Sequence, residues 1–252
     1  MQRLSDGDSE NINFVRPVRV PAVISFAADP PTVDVEIAWS ALVIVDMQND
    51  FLHENGWFPA NGIDPSPLSE VVVPIASLAA ASRDAGMPII WVNWGVRPDR
   101  ANLPDSFVAR ATSAGTRPTY GDPYPSGQGR ILVRGDWGAN VVEGLSVEAD
   151  DVIVSKHRPS GFPDTELDSG LRLRDLTTLF FAGVNIDRCV LATLIDACSR
   201  GYDCVLVDDA CATTSLPYMT NAVCHIVRLL YGVTANSSDI KTALAATSPI
   251  EG

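Results

Sequence analysis

Short, unbroken apolar runs recur along the chain, separated by longer segments of helical spacing. The first is ALVIVD (Ala41 to Asp46), followed by PIIWVN (Pro88 to Asn93), DVIVS (Asp151 to Ser155), TLFFAG (Thr178 to Gly183) and DCVLVD (Asp203 to Asp208). A brief apolar run without polar alternation predicts a strand covered on both faces, as in a parallel sheet. Between these runs, SEVVVPIASLAAASRDAG (Ser69 to Gly86), RCVLATLIDACSRG (Arg188 to Gly201) and PYMTNAVCHIVRLLYG (Pro217 to Gly232) carry apolar residues at helical intervals and end in glycine. Strand, helix, strand repeated in this order predicts a three-layer α/β/α fold, a doubly wound and mainly parallel sheet with helices on both faces.

Two stretches depart from that rhythm. Residues 1 to 36 hold Pro17, Pro21, Pro30 and Pro31 among polar and β-branched residues, a composition suited to an extended N-terminal arm that wraps a neighbouring subunit. Residues 37 to 252 then form one domain. The segment from Arg97 to Arg130 is rich in Gly and Pro and predicts long loops over the carboxyl edge of the sheet, where loops shape pockets.

Composition narrows the classes. With 252 residues, 46% of them hydrophobic and 19% charged, the chain can bury one large core. Its formal charge of −13 repels a polyphosphate backbone, which argues against nucleic acid as a partner. No apolar run approaches the ~20 residues that span a bilayer, and the opening MQRLSDGDSENINF lacks the apolar stretch of a signal peptide, so a soluble, cytoplasmic protein is expected. The five cysteines, Cys189, Cys198, Cys204, Cys211 and Cys224, show no short zinc or redox spacing and read as free thiols in a reducing compartment. Core packing is the ordinary use of such residues.

Position singles out one of them. Ligands of an open parallel sheet bind beyond the carboxyl ends of its strands. Asp46 closes the first predicted strand, Lys156 follows the third, and Cys189 begins a helix just after the fourth, behind the turn GVNID in which Asn185 or Asp187 can cap. A cysteine in the first helical turn faces unpaired N–H groups and the positive end of the dipole, which favours the thiolate. A carboxylate in reach can take the thiol proton and return it to a leaving amine, a role assigned to Asp46. A lysine beside both keeps Asp46 ionised, a role assigned to Lys156. The bland alternative is a solvated strand cap or a structural ion pair, and placement along the sequence does not decide between them.

VDMQNDF at Asp46, SKHRPSGF around Lys156 and GVNIDRCVLAT around Cys189 resemble, in order, three signature segments of the isochorismatase-like cysteine hydrolase superfamily. VRPDRANLP (Val96 to Pro104) and GDPYPSGQGRILVRG (Gly121 to Gly135) are similar to its biuret hydrolase and ureidoacrylate amidohydrolase branch. The resemblance implies a parallel six-stranded sheet, assembly as homodimers or homotetramers, and an amidohydrolase that cleaves a small amide or ureide through a thioester on Cys189. It further implies a cis peptide at Val184–Asn185 and an oxyanion hole made by the backbone N–H groups of Asn185 and Cys189.

Departures from the family pattern also inform the reading. Ile186 stands where many members carry Thr. Metal-dependent nicotinamidases carry an Asp-x-His pair where this chain reads VNWGVRPD, so no catalytic metal and no cofactor are expected. Phe51, Trp94, Tyr124 and Phe162 are candidates to wall a substrate pocket, Asn93 to contact substrate, and Arg158 to pair with a substrate carboxylate. Two other functions fit the same architecture: an isochorismatase-type vinyl-ether hydrolase, against which Cys189 speaks, and a non-enzymatic binding module. A dinucleotide site is disfavoured because MQNDF, not a glycine-rich turn, follows the first strand.

Overall fold

The structure is a computed structural model that describes Val15, Val18, Arg19 and residues 21–246. Its strands are β1 (Val23–Asp29), β2 (Thr32–Glu36), β3 (Ser40–Val45), β4 (Ile89–Trp94), β5 (Val152–Lys156), β6 (Thr178–Val184), β7 (Asp203–Ala212) and β8 (Val233–Ala235). They form one sheet in the order β2-β1-β8-β7-β6-β3-β4-β5. From β8 to β5 every neighbouring pair is parallel, which gives the doubly wound arrangement expected. Among the described residues the sheet holds eight strands and not six, because β1 and β2 extend it antiparallel beyond β8.

That extension comes from the stretch read as an extended arm. Ile24, Phe26 and Val35 alternate with exposed neighbours, the period of a half-buried hairpin, and Phe26 meets Phe180 at 5.8 Å between ring centroids. Pro30 and Pro31 sit at the turn, where a missing N–H disturbs no ladder bond. The expectations for residues 1–14 fall outside the described residues.

Side-chain alternation divides the core into two layers. Leu42, Ile44, Phe180 and Ala182 face one layer, covered by the helices Val72–Asp84 and Ser237–Ala245 and by the segment between β4 and β5. Ala41, Val43, Val45, Leu179 and Phe181 face the other, covered by the helices Leu167–Leu173, Leu191–Ser199 and Tyr218–Ile226. The loop region after β4 also contains a helix, Asp105–Ser113, with none of its residues buried. Among the described residues no helix is long and apolar enough to cross a membrane.

The chain winds outward from β3 to β4 and β5, then returns past β3 to β6, β7 and β8. The carboxyl ends of β3 and β6 therefore flank the reversal of strand order, where open α/β sheets hold their ligands. The backbones come close there: Gly183 adopts φ +114°, and a Cβ on it would collide with the backbone of Val45.

Candidate active site

Asp46, Lys156 and Cys189 meet at this point. Asp46 leaves β3 with a left-handed φ of 54°, which turns its carboxylate across the strand ends. Lys156 is the last residue of β5, and its Nζ lies 2.8 Å from Asp46 Oδ2, with side chains 0% and 2% exposed. Cys189 belongs to a π turn, Ile186–Val190, that opens the helix Leu191–Ser199, and its thiol interacts electrostatically with Asp46 and Lys156. Such π turns recur at functional sites because they re-aim one side chain of a helix. Cys189 is half-buried, while Cys204, Cys211 and Cys224 are buried.

Trp94 is joined to all three. Its backbone N–H donates to Asp46 Oδ1 at 3.0 Å, its ring lies 4.3 Å from Lys156 Nζ, and its side chain acts on the Cys189 thiol. The sequence singled out Trp94 only as a pocket wall. Gln48, not singled out at all, fixes Trp94 in turn: its amide donates to the Trp94 and Ala139 carbonyls at 2.8 Å each and accepts from the Trp94 N–H at 2.9 Å. The signal available in the sequence was a glutamine just past the end of an apolar strand, inside the motif VDMQNDF; the structure buries it fully, so its amide must find partners.

Burial and charge set the protonation states. Desolvation raises the Asp46 pKa above the usual carboxylate value, opposed by Lys156. Burial, then the charge of Asp46, pushes the Cys189 thiol up to about 12, opposed by Lys156. The resting sulfur is therefore protonated. The helix dipole alone suggests a thiolate, but burial and a neighbouring carboxylate outweigh it.

The turn before Cys189 has the cis peptide at Val184–Asn185. The Asn185 carbonyl accepts from the N–H groups of Arg188 at 3.0 Å and Val190 at 3.3 Å, passing over the N–H of Cys189 between them.

The remaining candidates divide. Asn93 and Tyr124 are buried, and Asn93 Oδ1 and the Tyr124 hydroxyl have no hydrogen-bond partner among the described residues. Phe51 packs edge-on against Phe58 at 5.0 Å within the core. Phe162 lies in the opposite layer against Tyr202 at 5.9 Å, so it does not share a wall with Trp94. The Arg158 guanidinium bonds Asp164 at 3.2 Å, while the Arg158 carbonyl accepts from Lys156 at 3.3 Å. His157 faces the same Asp164 at 3.8 Å, and His225 is exposed. Tyr120, which the sequence did not single out, stacks 5.1 Å from Trp94 and 6.4 Å from Phe107. Its hydroxyl is pushed up to about 12 by burial and by the charges of Cys189 and Asp46, against the guanidinia of Arg110 and Arg188.

Asp50 anchors the segment that carries Tyr120. Its fully buried carboxylate accepts from the N–H groups of Leu132 at 2.6 Å and Trp57 at 3.2 Å, and a Cβ on Gly138 would collide with it. Burial raises its pKa to about 7. A folded value above the ordinary 3.8 means that the stabilising contribution of this group is fully present below ~4 and is lost as pH rises through about 7. Carboxyl 13C NMR should show Asp50 titrating near 7, and a midpoint below ~5 would contradict the burial described.

Among the described residues no cluster of three or more His, Cys, Asp or Glu side chains is arranged to hold a metal ion. The isochorismatase domain model matches residues 40–238. The ureidoacrylate amidohydrolase RutB of Cronobacter sakazakii is 30% identical over 231 residues, covering 90% of this chain and 96% of the relative. That of a Methylorubrum extorquens strain is 28% identical over 228 residues, covering 88% and 90%. Among solved structures, the N-carbamoylsarcosine amidase of Thermoplasma acidophilum superposes with a TM-score of 0.61 at 27% identity, covering 79% of this chain and 96% of the other. A cysteine hydrolase from Pseudomonas syringae pv. phaseolicola gives 0.70 at 22% identity, covering 89% and 98%, a likeness of fold. The match of the domain model to most of its length shows that the chain belongs to the isochorismatase family.

Proposed function

We propose that the protein hydrolyses the C–N bond of a small amide or ureide through a thioester on Cys189. The observation that carries this reading is that Asp46 meets the buried Lys156 ammonium at 2.8 Å and acts electrostatically on the Cys189 thiol. The names of the relatives, two ureidoacrylate amidohydrolases and an N-carbamoylsarcosine amidase, agree with that chemistry.

Asp46 acts as base and then as acid. Its carboxylate takes the thiol proton as sulfur attacks the carbonyl carbon, and burial makes it a stronger base than an ordinary aspartate. The electron pair of the carbonyl moves to oxygen, where the N–H groups of Asn185 and Cys189 stabilise the oxyanion. Asp46 returns the proton to the nitrogen, the C–N bond breaks, and ammonia or an amine leaves with the thioester in place. Water then gives a proton to Asp46 and attacks the thioester. Collapse expels sulfur, which recovers that proton. Lys156 keeps Asp46 ionised at the start of each half-reaction.

The wall formed by Trp94, Tyr120 and Phe107 suits a flat, small acyl group. A carboxylate-bearing substrate is preferred, with Arg110 as its partner: the Arg110 guanidinium lies 4.8 Å over the Phe107 ring and its charge acts on the Tyr120 hydroxyl, whereas Arg158 is taken up by Asp164 and Arg188 by Ser215 and Asp187. The test is ammonia release from a panel of N-carbamoyl acids, neutral ureides and simple carboxamides. At least one ureide or amide should be turned over by the wild type and none by Cys189→Ala. Turnover confined to a vinyl ether, and unchanged in Cys189→Ala, would contradict the proposal.

A further inference from the structure

Sheet register brings a second segment against the nucleophile turn. Gly183 pairs with Cys211 and Val184 with Ala212, so the chain leaving β7 at Thr213 runs beside Asn185 as it leaves β6. The Asp187 carboxylate, 6% exposed, accepts from the hydroxyls of Thr213 and Ser215, the latter at 2.6 Å. Asn185 Oδ1 accepts from the Thr214 N–H at 3.0 Å and faces the Thr213 and Thr214 hydroxyls at 3.3 and 3.4 Å. The Ser215 N–H donates to Thr213 Oγ1 at 3.0 Å, and Arg188 Nη2 donates to Ser215 Oγ at 2.8 Å. Each polar side chain from Asn185 to Arg188 is thus tied to the tripeptide Thr213-Thr214-Ser215. Ile186, the apolar member of the turn, is fully buried.

None of these hydrogen bonds involves Asp46, Lys156 or the Cys189 sulfur. They lock the backbone between the two N–H groups assigned to the oxyanion. A buried carboxylate with both oxygens taken by hydroxyls has little freedom, because moving it leaves acceptors unsatisfied. Asn185 and Cys189 lie two residues to either side of Asp187, so displacement of Asp187 re-aims both donors. Ile186 brings no polar group to this turn, and the clasp supplies its polar anchoring.

We propose that Asp187, anchored by Thr213 and Ser215, is a positioning residue that holds the N–H groups of Asn185 and Cys189 in register with the developing oxyanion. The proposal rests on the reading of Cys189 as the nucleophile. It separates two reactions of one sulfur: amide hydrolysis needs the oxyanion donors, whereas alkylation by iodoacetamide develops no oxyanion and needs only the thiol and its base.

The test compares Thr213→Val, Thr213→Ser, Ser215→Ala, Asp187→Ala and the double variant Asp187→Ala/Thr213→Val in the full chain, using the best substrate of the panel. Thr213→Val, Ser215→Ala and Asp187→Ala should lower kcat by ~10 to 100-fold with KM within about threefold. Thr213→Ser, which keeps the hydroxyl, should remain within about threefold of wild type, and the double variant should be no worse than its poorer parent. Alkylation of Cys189 by iodoacetamide should stay within about twofold throughout. If Thr213→Val does not fold, Ser215→Ala carries the same comparison. Wild-type kcat in Thr213→Val and Ser215→Ala, alongside an inactive Cys189→Ala, would overturn the clasp alone. Alkylation falling in step with turnover would also overturn it, as a merely structural role. Turnover by Cys189→Ala would overturn the underlying reading and the clasp with it.

Discussion

Lys156→Met is expected to destabilise the fold by ~3–5 kcal/mol and to abolish turnover together. The ammonium is fully buried, 2.8 Å from a carboxylate that is itself 2% exposed. Removing it leaves Asp46 with a charge that neither water nor a partner compensates, and breaking one side of a buried pair costs far more than the pair contributes. Trp94 loses the cation under its ring as well. Part of the penalty is avoided if Asp46 takes up a proton, but a protonated Asp46 is no longer a base for the thiol. Asp46→Asn should destabilise by a similar route, through the stranded ammonium. The informative variant is the double one. Asp46→Asn/Lys156→Met removes both charges, so its stability in urea denaturation should recover to within ~1–2 kcal/mol of wild type while activity stays absent. Additive losses in the double variant would show that the two groups are not coupled.

Cys189→Ala should separate the same properties in the opposite sense. The residue is small and half-buried, so its loss should change stability by no more than ~1 kcal/mol. Turnover should fall by a factor on the order of 10⁴ or more, because what remains of the site is a base and an oxyanion cradle with nothing to attack the carbonyl. Cys189→Ser should be nearly as inactive. An alcohol is a far weaker acid than a thiol, and Asp46, although a stronger base than an ordinary aspartate, lies too far below it to deprotonate serine effectively. Initial rates of ammonia release and urea denaturation of the same preparations check both halves.

The strands that carry these residues were legible because each is an unbroken apolar run. ALVIVD, PIIWVN, DVIVS, TLFFAG and DCVLVD all lie within observed strands to within a residue or two. β8 was not legible: Val233–Ala235 is three residues long and owes its place to pairing with β7 and β1. The hairpin β1–β2 was hidden because four prolines dominate its stretch, although Ile24 and Phe26 already alternate in the manner of a half-buried strand. Within the candidate site, residue types at strand ends singled out Asp46, Lys156 and Cys189, which the structure brings together. What the sequence could not yield were contacts between distant segments. Trp94 reaches Asp46 across 48 positions, and the Thr213 hydroxyl reaches Asp187 across 26. No local pattern encodes either distance, and both follow only once β3, β4, β6 and β7 are laid side by side. The state of the sulfur escapes a local reading for the same reason, since the carboxylate that helps keep it protonated comes from another strand.

The most direct test is the intact mass of the protein quenched during turnover of a slow substrate. A mass increase equal to the acyl fragment is expected, carried by the peptide containing Cys189, discharged by hydroxylamine and absent from Cys189→Ala. Steady turnover with the acyl group on another cysteine, or with slow release and Cys189 unmodified, would contradict it.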